Sequence, residues 1–192
     1  MVTAEQRAIM NAAAAVAARP SLGAIWDALD AVPDPEIPAV SVRELGIVRA
    51  VEWTDADPDT LIVRVTPTYS GCPATELIVC GIHEALTALG VPRVRVEMRL
   101  SPAWTTDWIS AEGKRKLRDY GIAPPVGNVA AADAARIDVT GISPLRRANV
   151  AVSCPRCGSV QTQLVAQFGS TACKAQYRCL DCLEPFDYFK AH

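Results

Sequence analysis

The chain has 192 residues, half of them apolar, and carries 19 basic against 21 acidic side chains for a net charge of −2. That length suits one ordinary domain with a small module attached, and the apolar share is enough for a real core. The balanced charge excludes a global basic field for nucleic acid or an anionic membrane, and no apolar run approaches the roughly 20 residues of a membrane span.

The opening stretch, "MVTAEQRAIMNAAAAVAARP", has the length of a leader but not its chemistry. Glu5 precedes Arg7 and the apolar part is mostly alanine, so a short frayed helix is expected over 1–20 rather than a signal peptide. The expected compartment is then the cytoplasm, with the thiols reduced. Seven cysteines, an odd number, rule out a complete disulfide framework in any case.

A first domain is expected over 21–122. Ser21 can cap a helix in which Leu22, Ile25, Trp26, Leu29 and Val32 recur at helical spacing. "VPDPEIP", with three prolines in seven residues, stops that helix. "IVRAVEW" and "LIVRVT" read as two strands joined by the acidic, proline-bearing turn "TDADPD". "CPATELIVCGIHEALTALG" reads as a helix with Leu77, Ile78, Ile82, Ala85 and Leu86 on its buried side and Gly90 at its C-terminal end. "RVRVEMRL" alternates, which predicts a strand burying Val94, Val96, Met98 and Leu100 and exposing its arginines. A last helix is predicted over 105–120, ahead of Gly121. The order α-β-β-α-β-α defines a small α/β (α+β) sandwich with helices on one sheet face. From 123 to 150 the sequence turns rich in alanine, proline and glycine and reads as a linker, partly ordered against the first domain.

Residues 151–192 form a second module that holds five of the seven cysteines. "CPRC" begins at Cys154 and "CLDC" at Cys179, with 21 residues between the pairs. Each Cys-x-x-Cys makes a tight turn that aims two thiolates at one ion, and two facing turns make a tetrahedral four-sulfur site from Cys154, Cys157, Cys179 and Cys182. Gly158 supplies the positive φ that such a turn favours. The spacer accommodates a hairpin, "VQTQLVAQF" returning through "AQYR". This is the layout of a zinc ribbon, and free buried thiols in so short a segment are the weaker reading. Four thiolates suit zinc, and also iron. Cys173 is the fifth cysteine: an alternative ligand in place of Cys179, a reactive thiol beside the metal, or, by default, a packed residue. Four cations against three anions give the module a net charge of +1, a poor surface for phosphates.

Cys72, in "YSGCPATEL", raises the chemical question. Pro73 suits the first helical position, which makes Cys72 the expected N-cap, near unpaired N–H groups and the positive end of the helix dipole. That environment favours a thiolate, which could serve as nucleophile, metal ligand or sulfur acceptor. On spacing alone, a small inert residue before proline is an equal reading. Asp34 and Glu36, in the stiff "DPEIP" loop, could ligate iron or orient a partner, or simply form a solvated acidic loop. Cys80 and His83 share a helix face three residues apart; shielding of Cys80 by the linker or ribbon is favoured over a shared metal.

Together, "DPEIP", "ELGIV" and "VTPTYSGCPATELI" resemble the signature of the iron–sulfur cluster assembly domain family over about 21–100. The resemblance implies a reactive cysteine in a Thr-then-Cys-Pro segment, matched by Thr66 and Cys72-Pro73. With "SPAWTTDWI", "YGIAPP", "CPRCGS", "FGSTACKA" and "YRCLDCLEPFDYFK", nearly the whole chain is similar to the D-subunit family of phenylacetyl-CoA epoxidase systems. Such a system contains a di-iron oxygenase and a reductase with flavin and a 2Fe–2S cluster, and serves aerobic breakdown of phenylacetate in bacteria. The resemblance implies a maturation factor for those partner subunits, with Cys72 carrying iron, sulfur or a transient iron–sulfur cluster and Asp34, Glu36 and Thr66 in support. A structural accessory subunit is the alternative. A homodimer is compatible with the sequence, which does not fix the oligomeric state. A thiol enzyme lacks a base, since His83 and His192 are the two histidines. There is no nucleotide loop, no flavin motif and no pair of Glu-x-x-His motifs.

Overall fold

The computed structural model describes residues 19–69, 71–126 and 151–191. The helix expected over 1–20 and most of the segment expected as a linker lie outside these residues.

Helix α1 (Leu22–Asp30) starts as its sequence requires: Ser21 Oγ accepts the Ala24 N–H at 3.2 Å. It buries Ile25 and Leu29 completely, while Leu22, expected inside, stands in solvent one turn before the helix meets the core. The segment that follows is irregular but held by backbone and side-chain hydrogen bonds. Ser41 and Glu44 satisfy each other's N–H reciprocally, Ser41 N–H to Glu44 Oε2 at 2.9 Å and Glu44 N–H to Ser41 Oγ at 3.0 Å. This is capping-box bonding around a turn rather than a helix. Gly46 closes the turn at φ +68°, pressed against the backbone of Trp108.

Strands β1 (Val48–Trp53) and β2 (Thr60–Val65) form the expected antiparallel hairpin. Helix α2 (Thr75–Ala88) then crosses over, and β3 (Arg93–Met98) returns parallel to β2, giving a sheet ordered β1-β2-β3. The helices cover one face. The other carries a row of charges, with Arg64 between Glu52 and Glu97 and Glu97 also bound by Arg99. α2 ends with Gly90 at φ +91°, as its sequence position predicts.

Two side-chain expectations need correction. α2 buries the stripe Ile78, Ile82 and Leu86, a strict i, i+4, i+8 row; Leu77, one step of about 100° away, is exposed. On β3 only Val94 and Val96 lie against the core, while Met98 and Leu100 are exposed; β3 is an edge strand, and Met98 sits at the rim beside Thr75, Ile78 and Val79 of α2. The helix expected over 105–120 is shorter than its sequence suggests. A single 3-10 turn (Thr106–Trp108) precedes α3 (Ala111–Tyr120), which is capped by Ser110 Oγ accepting the Gly113 N–H at 2.9 Å.

Directly after Gly121 the chain forms β4 (Ile122–Ala123), which pairs parallel with β7 (Pro185–Phe189). β5 (Thr162–Ala166) and β6 (Lys174–Cys179) make the expected hairpin, and β7 adds a strand that the aromatic run "PFDYF" did not announce. The second sheet is ordered β4-β7-β6-β5. Its edge strand is therefore supplied by the end of the first domain. Phe189 and Cys173 enter the first domain's core cluster, and the Phe189 ring lies 5.9 Å from that of Trp104. Trp104 is itself fixed by its indole N–H, which donates to Leu45 O at 2.9 Å.

The Gly46 turn yields a comparative prediction. A Cβ at Gly46 would lie 2.6 Å from Trp108 O, whereas one at Gly90 would meet nothing within 4 Å although φ is positive at both. Gly90→Ala should cost about 1 kcal/mol from backbone conformation alone. Gly46→Ala should cost about 2–3 kcal/mol more through overpacking. Urea unfolding of the two variants checks the order; equal losses would contradict the close packing.

Candidate functional site

The ribbon's two cysteine turns are built alike. Cys154 N–H donates to Ser159 O at 2.8 Å, and Cys179 N–H donates to Glu184 O at 3.0 Å. The residue after each second cysteine has positive φ: Gly158 at +77° and, in the other turn, Leu183 at +65°. A leucine held there shows that the turn geometry is imposed by its surroundings and not by local preference. The four sulfurs of Cys154, Cys157, Cys179 and Cys182 all lie within 4.8 Å of one another, with Cys154 to Cys182 at 3.8 Å and Cys157 to Cys179 at 3.5 Å. A tetrahedral ion with metal–sulfur bonds of about 2.3 Å needs sulfur–sulfur edges of about 3.8 Å. The residues thus fit one metal ion. The N–H of Cys182 donates toward the Cys179 sulfur and holds that thiol down to about 7. The Cys182 thiol, despite the Glu184 N–H, is pushed up to about 12 by desolvation and by the sulfurs of Cys157, Cys179 and Cys154.

Cys173 is not part of this group. It is buried on the opposite side of the ribbon, within the first domain's core cluster, with its sulfur 3.1 Å from Thr171 Oγ1. Burial pushes its thiol up. Its carbonyl accepts the Lys190 N–H at 2.9 Å, which ties the turn before β6 to the end of β7.

Cys72 belongs to the 66–74 loop, and its expected role as N-cap is corrected by the structure. The N-cap of α2 is Ala74, already in αR conformation and making no side-chain cap bond. Cys72 instead closes a turn: its N–H donates to Tyr69 O at 3.2 Å, and its carbonyl accepts from Thr75 Oγ1 at 2.8 Å and from the Thr75 N–H at 3.3 Å. Because Thr75 satisfies the backbone from below, the helix starts two residues later than Pro73 implied. The Cys72 side chain is half-buried and packs against the same core cluster that contains Cys173.

The structure assembles further groups at this junction of the two modules. Asp34 is 7% exposed, and its Oδ1 accepts the N–H of Glu36 and of Ile37 at 2.9 Å each. Burial nevertheless outweighs those two bonds and raises its carboxyl above the usual range. Tyr69 is raised by burial and then by the charge of Cys72 and of Cys173. Lys174, buried, bears electrostatically on Asp34 and on Cys173 and lies 3.6 Å from Asp187 Oδ2. Glu36 is exposed at the rim, within electrostatic reach of Tyr69. Thr66 is buried at the end of β2, where its N–H donates to Ile47 O at 2.8 Å. Cys80 is exposed, and no third ligand joins it and His83 among the described residues. Tyr69 and Lys174 were not singled out in the sequence, and Cys173 was expected, if reactive, beside the metal; no spacing rule links "GSTACKA" to a loop a hundred residues earlier.

The matches to known families follow the same division. Residues 23–102 match the family described as an iron–sulfur cluster assembly protein, and residues 141–190 match the PaaD zinc beta ribbon domain. The molecule is thus a cluster-assembly-type α+β domain with a zinc ribbon docked on it. Over 176 residues, 92% of this chain and 96% of the relative, it is 46% identical to an Escherichia coli (strain K12) protein named as the D subunit of a "Putative 1,2-phenylacetyl-CoA epoxidase". The chain belongs to the D-subunit family of phenylacetyl-CoA epoxidases. It is also 33% identical over 91 residues, 46% of this chain and 83% of the relative, to an "Fe-S protein maturation auxiliary factor" of Porphyromonas gingivalis (strain ATCC BAA-308 / W83). A solved structure of a domain of unknown function from Bacillus anthracis is 27% identical, with 50% of this chain and 89% of that one covered and a TM-score of 0.45.

Two predictions arise here. Cys179→Ser, which removes a buried ligand, should abolish stoichiometric metal binding and loosen the ribbon, lowering the thermal midpoint of the whole chain because β7 shares its sheet with β4. Elemental analysis and thermal unfolding check both; an unchanged metal content would contradict the four-sulfur assignment. For Asp34, a carboxyl raised by burial destabilises the fold as pH rises from its ordinary 3.8 through its raised value, since the unfolded chain loses the proton first. Asp34→Asn keeps the acceptor oxygen and removes the charge, so it should be no less stable than wild type at pH 7. Asp34→Ala, which strands two N–H groups, should lose roughly 1–3 kcal/mol. Urea unfolding at pH 7 with the metal retained distinguishes them.

Proposed function

We propose that this chain is a maturation factor for the phenylacetyl-CoA epoxidase system, in which Cys72 holds iron, sulfur or an iron–sulfur cluster in transit to the enzyme's other components. One observation carries the reading: in a domain of the iron–sulfur cluster assembly family, Cys72 presents a half-buried thiol outside the four-cysteine site, so it is free for cargo. The maturation name of the Porphyromonas gingivalis relative, which matches this chain over the domain that contains Cys72, supports it.

The division of labour follows from coordination chemistry. A complete four-thiolate cage holds an ion without an open position, which suits a structural role, and the match to a zinc ribbon domain supports zinc as that ion. Cys72 supplies one ligand and leaves positions open, which is what a transferable cargo needs. Asp34 stiffens the adjoining loop, and Glu36 and Tyr69 line its rim. The favoured client is the reductase, whose 2Fe–2S cluster requires thiolate-bound iron and sulfide; the oxygenase's di-iron site, with oxygen and nitrogen ligands, is the lesser one. The compartment is the reducing cytoplasm. No helix among the described residues is long and apolar enough to cross a membrane.

A second reading, a stoichiometric accessory subunit, is motivated by four large apolar side chains that the ribbon exposes, Val165, Phe168, Leu180 and Leu183. Co-purification at a fixed ratio would support it, and transient association the first.

Cys72→Ala should fold, since its side chain makes no cap bond and the loop is held by backbone groups. It should fail to support growth on phenylacetate, with iron and sulfide depleted in the reductase. The measurement is metal and sulfide in oxygenase and reductase purified from cells with wild-type protein, Cys72→Ala, or neither. Fully loaded, active partners from the Cys72→Ala cells would remove this thiol from the role.

A further inference from the structure

We propose that β3 is an interface strand: two copies of this chain join through it, antiparallel about a two-fold axis at Val96, into one sheet ordered β1-β2-β3-β3-β2-β1. The proposal is independent of the cargo assigned to Cys72.

The sheet edges single out β3. An exposed edge presents unpaired N–H and C=O groups that invite further pairing, and bulges, prolines or short length blunt it. Among the described residues, β1 carries a register shift between Val48 and Ala50, β5 carries one between Leu164 and Ala166, and β4 is two residues long. β3 runs six residues in unbroken register with β2, and Arg93–Met98 contains no proline.

The pairing with β2 fixes which groups of β3 are free. The Arg93 N–H donates to Asp59 O at 3.2 Å and the Arg99 N–H to Val65 O at 2.8 Å. Bonding direction alternates along a strand, so the backbone groups of Arg95 and Glu97 also face β2, and those of Val94, Val96 and Met98 face outward. A second copy centred on Val96 sets Val96 opposite its own equivalent and Val94 opposite the second copy's Met98. Each of these pairs then exchanges both of its hydrogen bonds.

The same register matches the side chains. Val94 and Val96 pack toward the helix-covered face, where Met98 adjoins α2 and is 41% exposed, so apolar meets apolar there. On the charged face Arg95 meets the second copy's Glu97, and symmetry repeats the pair. Arg93 falls opposite Arg99, but each is already held by carboxylates of its own chain, Arg93 by Asp57 and Asp59 and Arg99 by Glu97. Moving the centre by one residue sets Arg95 against Arg95 or Glu97 against Glu97, and like charges directly opposite are destabilising. Longer shifts run off the end of the strand. The interface is isologous and closed, as a two-fold dimer requires.

The test is sedimentation velocity of the full chain, ribbon metal retained, from about 1 to 100 μM at fixed salt, since self-association follows concentration. Amide exchange is measured at both ends of the range. Wild type should pass from monomer to dimer, and the amides of Val94, Val96 and Met98 should exchange more slowly in the dimer. Arg95→Glu should weaken self-association at least about tenfold by facing Glu97 with a like charge. Glu97→Arg should do the same, and mixing the two variants should restore the dimer, because each supplies the charge that the other opposes. Val96→Pro removes an outward N–H and no bond to β2, so it should be monomeric with ribbon metal and circular dichroism unchanged. It decides the matter if Glu97→Arg, which also loses its bridge to Arg64, fails to fold. A wild type that stays monomeric throughout the range overturns the proposal, even if the edge takes a strand from a different protein. So does a dimer that neither Arg95→Glu nor Val96→Pro weakens, or one that leaves the three outward amides unslowed.

Discussion

The contact on which the rest of the molecule depends is the seam between the two modules. Ile122 and Ala123 leave the last helix of the first domain and pair with Asp187 and Tyr188 of the ribbon. Phe189 then lies 5.9 Å from Trp104 within the first domain's core. A segment of some forty residues cannot bury enough apolar surface to stand alone. Here it is held at one end by four sulfurs and at the other by a borrowed strand and a borrowed core. Neither support replaces the other: the metal fixes the turns, and the seam fixes where the ribbon sits.

That seam brings separate loops to one junction. The proline-stiffened loop brings a buried carboxylate, the loop before α2 brings a thiol, and the turn before β6 brings a second thiol and a buried lysine. Each of these groups is unfavourable to bury singly, since desolvation penalises every charged form. Asp34 and Cys173 both show that cost in their raised protonation equilibria. Such groups cluster at functional sites and also occur in purely structural networks. The cysteines differ in setting. The ribbon's four sulfurs lie close enough to share one ion, whereas Cys72 and Cys173 lie outside that group.

Much of this was legible in the sequence where the information is local. Ser21 and the helix it caps, the hairpin around "TDADPD", Gly90 at the end of α2, Gly158 in its cysteine turn and the facing Cys-x-x-Cys pairs all follow from side-chain period, capping chemistry and backbone permissiveness. These operate within a few residues, so the order of residues contains them. The same local rules failed where a neighbour intervened. Pro73 suggests that Cys72 caps α2, but Thr75 bonds back to Cys72 O and the helix begins later. Leucine at 77 fits the apolar stripe by count, but the helix is rotated so that Ile78, Ile82 and Leu86 face inward.

By itself, then, the sequence determined the two modules, most of their elements and the four cysteines that come together, because each rests on spacing within a short stretch of chain. The tertiary structure alone decided that Cys173 lies outside the four-sulfur group, buried in the first domain's core cluster and within electrostatic reach of Cys72, Tyr69, Asp34 and Lys174. Those residues are separated by up to 140 positions. No periodicity spans that distance; their meeting depends on how one folded module docks on another, which is set by the shape of two buried surfaces and the pairing of one short strand.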